Sequence, residues 1–324
     1  MESLQNLFKD HLQICMKNAE ESLSSLNYSS LILSSGKPFT YFCDDSEAPF
    51  RTNPHFAHWC PAKGPHHFIK YTPGEEKPHL IYYLPQDYWH DHDELSPDLY
   101  WVEAFQISHI DNLSQLNKVL GATDGSVFLG NDEEYFRFHK IQVNCELMSA
   151  RLNWFRRQKS DYEIFCLSQA NKIAAQGHLA AKKAFLEGES EFGIYLKYLD
   201  TIKCTEAQLP YGAIIGHNQH AGILHYRSKD HAKKATNMLI DAGACFAHYG
   251  SDITRSYAHA KHPNLFSELL SATENMQLEL CTMVKIGSSF QEISEQTHLK
   301  IAEILENLKI LNIKNNFAQA VKDG

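Results

Sequence analysis

Leu4, Leu7, Phe8, Leu12 and Cys15 recur at helical spacing, so the chain is expected to open with an amphipathic helix whose apolar stripe packs on the downstream chain. The period then shortens. Leu31-Ile32-Leu33 and residues 67–71, 80–84 and 126–129 form short β-like runs, each bounded by Gly, Pro, Asn or Asp. Strands interleaved with helical stretches predict an α/β domain over residues 1–155.

The pattern changes at Arg156-Arg157-Gln158-Lys159-Ser160, and residues 156–324 are expected to form a second domain. Ser160 with Glu163 three positions on reads as a capping box. Ile164, Leu167, Ile173, Ala174 and Ala181 extend that helix to a stop at Gly188, and Ser190 starts another. Residues 213–215, 222–226, 238–240 and 253–254 read as strands. A helix from Pro263 carries Leu265, Leu269, Ala272, Met276, Leu280 and Met283 on one stripe. A last helix, capped by Ser289 and Glu292, turns Phe290, Ile293, Ile301, Ile304 and Leu308 inward. The order helix, helix, strands, helix, helix resembles half of a symmetric α+β layer whose second set of strands is absent. Fold alone does not give function.

Composition narrows the functional classes. With 324 residues, 43% of them hydrophobic, the chain can bury a sizeable core, and the length suits two domains. A formal charge of -9 without runs of Lys or Arg argues against a nucleic-acid surface and for a small-molecule or peptide substrate. No stretch of 18 apolar residues predicts a membrane span, the first ten residues carry charges where a secretory leader needs an apolar run, and the cytoplasm is the expected compartment. Eight widely spaced cysteines without a CxxC pair read as reduced thiols, mostly in the core.

Candidate chemistry concentrates in Leu239-Ile240-Asp241-Ala242-Gly243-Ala244 and Gly250-Ser251-Asp252-Ile253-Thr254-Arg255. Asp241 ends an apolar strand and Asp252 lies eleven residues later. If an even-numbered hairpin loop joins them, both side chains share a face, directly opposite or one diagonal step apart. Converging carboxylates repel unless something positive lies between them, and divalent cations meet that need with hard oxygen ligands. The competing reading makes Asp241 a turn residue and Asp252 a solvent-facing one. For His225 the competing reading is a packed, hydrogen-bonded sheet histidine. Residues 90–94, His-Asp-His-Asp-Glu, carry metal-binding types, but consecutive loop residues seldom converge on one ion, and a solvated surface is expected there.

The two Asp motifs resemble the first ligand positions of the Xaa-Pro peptidase, creatinase and methionine aminopeptidase superfamily. Phe42-Cys43-Asp44-Asp45, Asn53-Pro54-His55-Phe56, Tyr83-Leu84-Pro85 with Asp87-Tyr88-Trp89-His90, Pro210-Tyr211-Gly212 and Leu224-His225-Tyr226 resemble its bacterial prolidase branch (peptidase family M24B), which includes organophosphorus acid anhydrolases. The resemblance implies an N-terminal creatinase-like α/β domain followed by a pita-bread metallopeptidase domain. It implies two divalent ions, expected to be manganese (Mn2+), bound by Asp241 and bridged by Asp252. It also implies a catalytic, substrate-facing His225, a pocket-wall Tyr211, and an Asp45 that reaches the partner's site in a homodimer to meet the free amine of an Xaa-Pro dipeptide.

The family's remaining ligands, a His and two Glu from later strands, have no counterpart. After Asp252 only His259, His262 and His298 occur, and none lies in a His-Gly-Ile-Gly-His stretch. The expectation is a pita-bread domain incomplete at its C-terminus, with weak metal affinity and exposed helix stripes, so that this chain is an inactive fragment of a dipeptidase. The alternative is a non-catalytic truncated protein acting as a dimerisation or binding partner. Ala247-His248, where relatives carry Asn-Gly, suits positive φ poorly and predicts a longer or strained hairpin loop.

Overall fold

The computed structural model describes residues 2–86, 88, 95–136, 140–259 and 265–310. Asp87, Trp89, residues 90–94, His262 and Pro263 lie outside the described residues. The chain divides into two units, the first comprising Met1–Lys172, Ala207–Pro210 and Ala244–Ser251, the second Ile173–Glu206, Tyr211–Gly243 and Asp252–Gly324.

In the first unit the expected opening helix is α1 (Glu2–Leu26). Strands β1 (Leu31–Ser34), β2 (Phe68–Tyr71), β3 (His79–Tyr83), β4 (Gln106–Ile110), β5 (Val127–Leu129) and β6 (Gln142–Val143) form one mixed sheet in the order β4-β3-β2-β1-β5-β6. The hydrophobic stripe of α1 is buried, with Phe8, Leu12, Cys15, Met16, Ala19 and Leu23 packed in a core with Leu31, Leu33, Ile69 and Tyr71. Each such large apolar side chain contributes roughly 1.5–3 kcal/mol on leaving water. The alternate strand positions Ile32, Phe68, Ile81 and Phe128 point the other way and meet Leu116 and Leu120 of α3 (Leu116–Leu120) and Phe136. Helices α2 (Pro54–Trp59) and α4 (Glu146–Phe155) complete the elements before α5 (Asp161–Leu186). The capping box at the start of α5 is present, with Ser160 N donating to Glu163 Oε2 and Glu163 N to Ser160 Oγ.

The second unit holds a three-stranded antiparallel sheet of β7 (Ile214–His217), β8 (Asn237–Asp241) and β11 (Thr254–Ala258), ordered β11-β8-β7. Its helices are α6 (Glu191–Ile202), N-capped by Ser190, α7 (Leu265–Met283) and α8 (Phe290–Asn307), which carries the Ser289/Glu292 capping box. The strand expected over residues 222–226 is absent. Those residues turn, with Ile223 N donating to His220 O and Tyr226 N to Ile223 O, and Leu224 is 87% exposed. The inward stripe expected of the last helix is met in part: Ile293, Ile304 and Leu308 are half-buried, whereas Phe290 is 89% exposed, Ile301 is exposed as well, and Ala302 is the buried residue of α8.

The short strands β9 (Cys245–Phe246) and β10 (Tyr249–Gly250) pair across the two-residue loop Ala247-His248. The loop is therefore not lengthened. Both residues take positive φ, 47° and 68°, as a type I′ turn demands, so the local strain falls on side-chain-bearing residues.

Candidate metal centre

Strand β8 alternates, burying Met238 and Ile240 and turning Asn237, Leu239 and Asp241 to the opposite, more open face. Asp241 pairs in register with Thr254, which places Asp252, two residues earlier on the facing segment, one diagonal step away. Ala242 N donates to Ile253 O at 3.1 Å and fixes that register beside the pair.

Tyr211 stands where the two carboxylates converge. Its hydroxyl lies 2.7 Å from Asp241 Oδ1 and 3.1 Å from Asp252 Oδ1, so both come within hydrogen-bond reach of one atom. One phenolic proton cannot fully serve two anions, and negative charge is left over at that point. Burial, the hydrogen bond to Asp241 and the charges of both aspartates push the Tyr211 hydroxyl well above the ordinary tyrosine range. It is a neutral donor at any physiological pH.

Two residues that sequence reasoning missed support this region. His178, buried in α5, donates from Nε2 to the carbonyl of Ala242 at 2.9 Å, immediately after Asp241. Burial lowers its pKa, and its Nδ1 has no partner among the described residues. Glu191, at the start of α6 and fully buried, accepts from His217 N (2.7 Å), His220 Nδ1 (2.8 Å), Tyr226 Oη (2.8 Å) and Asp230 N (2.6 Å). Burial alone raises a carboxyl pKa, but the four donors outweigh it and hold Glu191 below the ordinary range. Neither residue has a local signal, since each acts on a segment far along the chain.

The other expected site residues are placed differently. His225 sits exposed on the 222–226 turn, and among the described residues no hydrogen bond joins it to Asp241, Asp252 or Tyr211. Asp45 is exposed on a loop of the first unit. Among the described residues, no third His, Cys, Asp or Glu gathers with the Asp241–Asp252 pair at ligand spacing. Among the described residues the donor set is thus two hard carboxylates, which suits an oxygen-preferring divalent cation as part of its coordination.

Among the described residues, no helix is long and apolar enough to cross a membrane. Residues 6–154 match the family model described as Xaa-Pro dipeptidase, N-terminal domain, and residues 166–319 match metallopeptidase family M24. A Xaa-Pro dipeptidase of Shewanella pealeana is 38% identical over 318 residues, covering 96% of this chain and 71% of the relative. The aminopeptidase PepP structure of Pseudomonas aeruginosa superposes with a TM-score of 0.74 at 16% identity, covering 96% of this chain and 76% of that one. A zinc-substituted Escherichia coli aminopeptidase P in complex with product gives 0.69 at 17%, covering 97% and 77%. These structural likenesses establish the fold, an N-terminal domain followed by the α+β pita-bread arrangement. The chain belongs to the Xaa-Pro dipeptidases of metallopeptidase family M24.

Proposed function

We propose that the Asp241–Asp252 pair is the cation-binding part of a metal-dependent Xaa-Pro dipeptidase site, acting on dipeptides with a carboxy-terminal proline. The observation that carries this reading is the single phenolic oxygen within 3.1 Å of both carboxylates, which marks where positive charge is wanted. Two divalent ions, with manganese as the expected metal, would supply Lewis-acid polarisation of the scissile carbonyl and acidify a water at neutral pH. Asp241 would contribute one carboxylate and, as the family resemblance implies, Asp252 would bridge the two ions. Tyr211 lines the pocket wall and holds the pair in register. His178 keeps the backbone after Asp241 in place through the Ala242 carbonyl.

In this reading residues 1–155 are the N-terminal domain and residues 156–324 the first part of the catalytic one. Asp45, on its exposed loop, meets the substrate amine in the partner's site of a homodimer, and His225, by the family resemblance, faces substrate. The compartment is the cytoplasm. The lack of a third described ligand beside the pair favours the second reading, a non-catalytic dimerisation or binding partner.

Manganese-dependent hydrolysis of an Xaa-Pro dipeptide by the 324-residue chain, with Asp241→Asn and Asp252→Asn as controls, separates the two. Activity lost in both variants supports the dipeptidase; a folded, dimeric chain with no activity supports the second reading.

A further inference from the structure

In the first unit, His11 and Cys15 stand one helical turn apart on α1 and project from the same face. His58, in the last turn of α2, lies edge-on to His11 with ring centroids 4.8 Å apart. One ligand-type atom from each of the three lies within 4.8 Å of the other two, and among the described residues no other group of His, Cys, Asp or Glu does this. Cys15 Sγ is 3.5 Å from His11 Nε2. Zinc bonds of about 2.0 Å to nitrogen and 2.3 Å to sulfur, meeting at the tetrahedral angle, separate those atoms by about 3.5 Å. The pair already has the spacing of two ligands on one ion.

The surroundings supply what such ligands need. His11 Nδ1 lies 2.8 Å from Ser160 Oγ, a partner able to accept its proton and fix the ring. Glu163, nearly buried, places Oε1 3.6 Å from His58 Nδ1 and brings a negative charge to the cluster. His58 keeps its side chain 12% exposed, which leaves an approach from solvent. We propose that His11, Cys15 and His58 form a binding site for a borderline, zinc-type divalent ion, with a water in the fourth position.

Metal binding relocates one proton and releases another. Without metal, His11 Nε2–H donates to the carbonyl of His58 at 2.7 Å. On binding, the hydrogen bond to the His58 carbonyl breaks and that carbonyl gives way to the ion; the proton leaves Nε2 and Nδ1 takes one up, donating it to Ser160 Oγ, so that the Nε2 lone pair faces the ion with the ring in place. Cys15 releases its thiol proton to solvent, and His58 binds as the neutral ring. An ordinary cysteine is a thiol at neutral pH, so the ion must displace its proton to gain a thiolate ligand. Affinity therefore falls roughly tenfold per pH unit of acidification for the one displaced proton.

Cobalt(II) is the probe, because a thiolate ligand gives it an intense charge-transfer absorption. It is titrated into the full chain carrying Asp241→Asn and Asp252→Asn, so that the carboxylate pair does not compete. The expected result is a thiolate band that saturates at one equivalent, is displaced by zinc, and disappears with Cys15→Ser. Cys15→Ala, which keeps that face of α1 apolar, gives the same loss should the serine variant not fold. His58→Gln shifts saturation to higher cobalt. No band at one equivalent, or a band that survives both Cys15 substitutions, overturns the proposal.

Discussion

The helix that opens the chain and the two that close its described part carry similar apolar stripes and meet different fates. The stripe of α1 is sealed against the first unit's sheet, whereas α7 has no buried residue and α8 buries Ala302. Leu265, Leu278, Ile286, Phe290 and Ile301 stand exposed. The difference teaches that periodicity reports the presence of an apolar face and not its cover. A face left open at this scale is unusual in a monomer.

The sharpest way to break this comparison is to truncate one aromatic on each side. Phe8→Ala is expected to lower stability by about 3–5 kcal/mol, since it empties part of a packed core. Phe290→Ala should change it by no more than about 0.5 kcal/mol. Chemical denaturation of both variants checks the pair, and equal losses would mean that α8 is covered in solution.

A second test asks what orders the second unit where apolar burial is thin. Glu191 gathers four donors at full burial, and Glu191→Gln should cost about 1–3 kcal/mol by leaving some of them unmatched. The folded-state pKa is depressed, so the carboxylate's stabilisation is complete above its unfolded value and is lost as pH falls through the folded one. Thermal melts in acid should therefore show a steeper decline for the unaltered chain than for Glu191→Gln. Parallel declines would remove Glu191 from this role.

Smaller effects sharpen the picture at the site and at the hairpin. Tyr211→Phe removes the proton that partly satisfies both aspartates, and calorimetry should show cation affinity rising by roughly tenfold, the equivalent of one charged hydrogen bond. Weaker binding would instead make the phenol a support for the bound ion. Ala247→Gly relieves one positive-φ residue in the two-residue loop and should raise stability by about 0.4–1 kcal/mol, read from the unfolding midpoint.

The legible parts of the fold were those set by neighbours in sequence. Both capping boxes, the α1 stripe and the strands around Ile32, Ile69 and Ile81 follow from local pattern. Residues 222–226 misled because Ile223, Leu224 and Tyr226 read as a strand, while Glu191 draws the Tyr226 hydroxyl and the Asp230 backbone into a turn from 35 and 39 residues away. Strands β4 and β6 lie at the sheet's edges and lack a full apolar run, which hid them. At the site, spacing left direct and diagonal pairing equally open. The Thr254–Asp241 register chooses the diagonal. The roles of His178 and Glu191 were invisible because a side chain's partner 64 or 26 residues away leaves no mark on the residues beside it.

Everything proposed for the site depends on Asp241 and Asp252 together creating a cation site. Manganese titration of the unaltered chain, followed calorimetrically beside Asp241→Asn and Asp252→Asn, tests it most directly, since a hard ion is a poor match for the His11, Cys15 and His58 cluster of α1 and α2. Saturable binding that either substitution removes is the expected result. Binding that persists unchanged in both variants, or no binding to a folded chain, would contradict it.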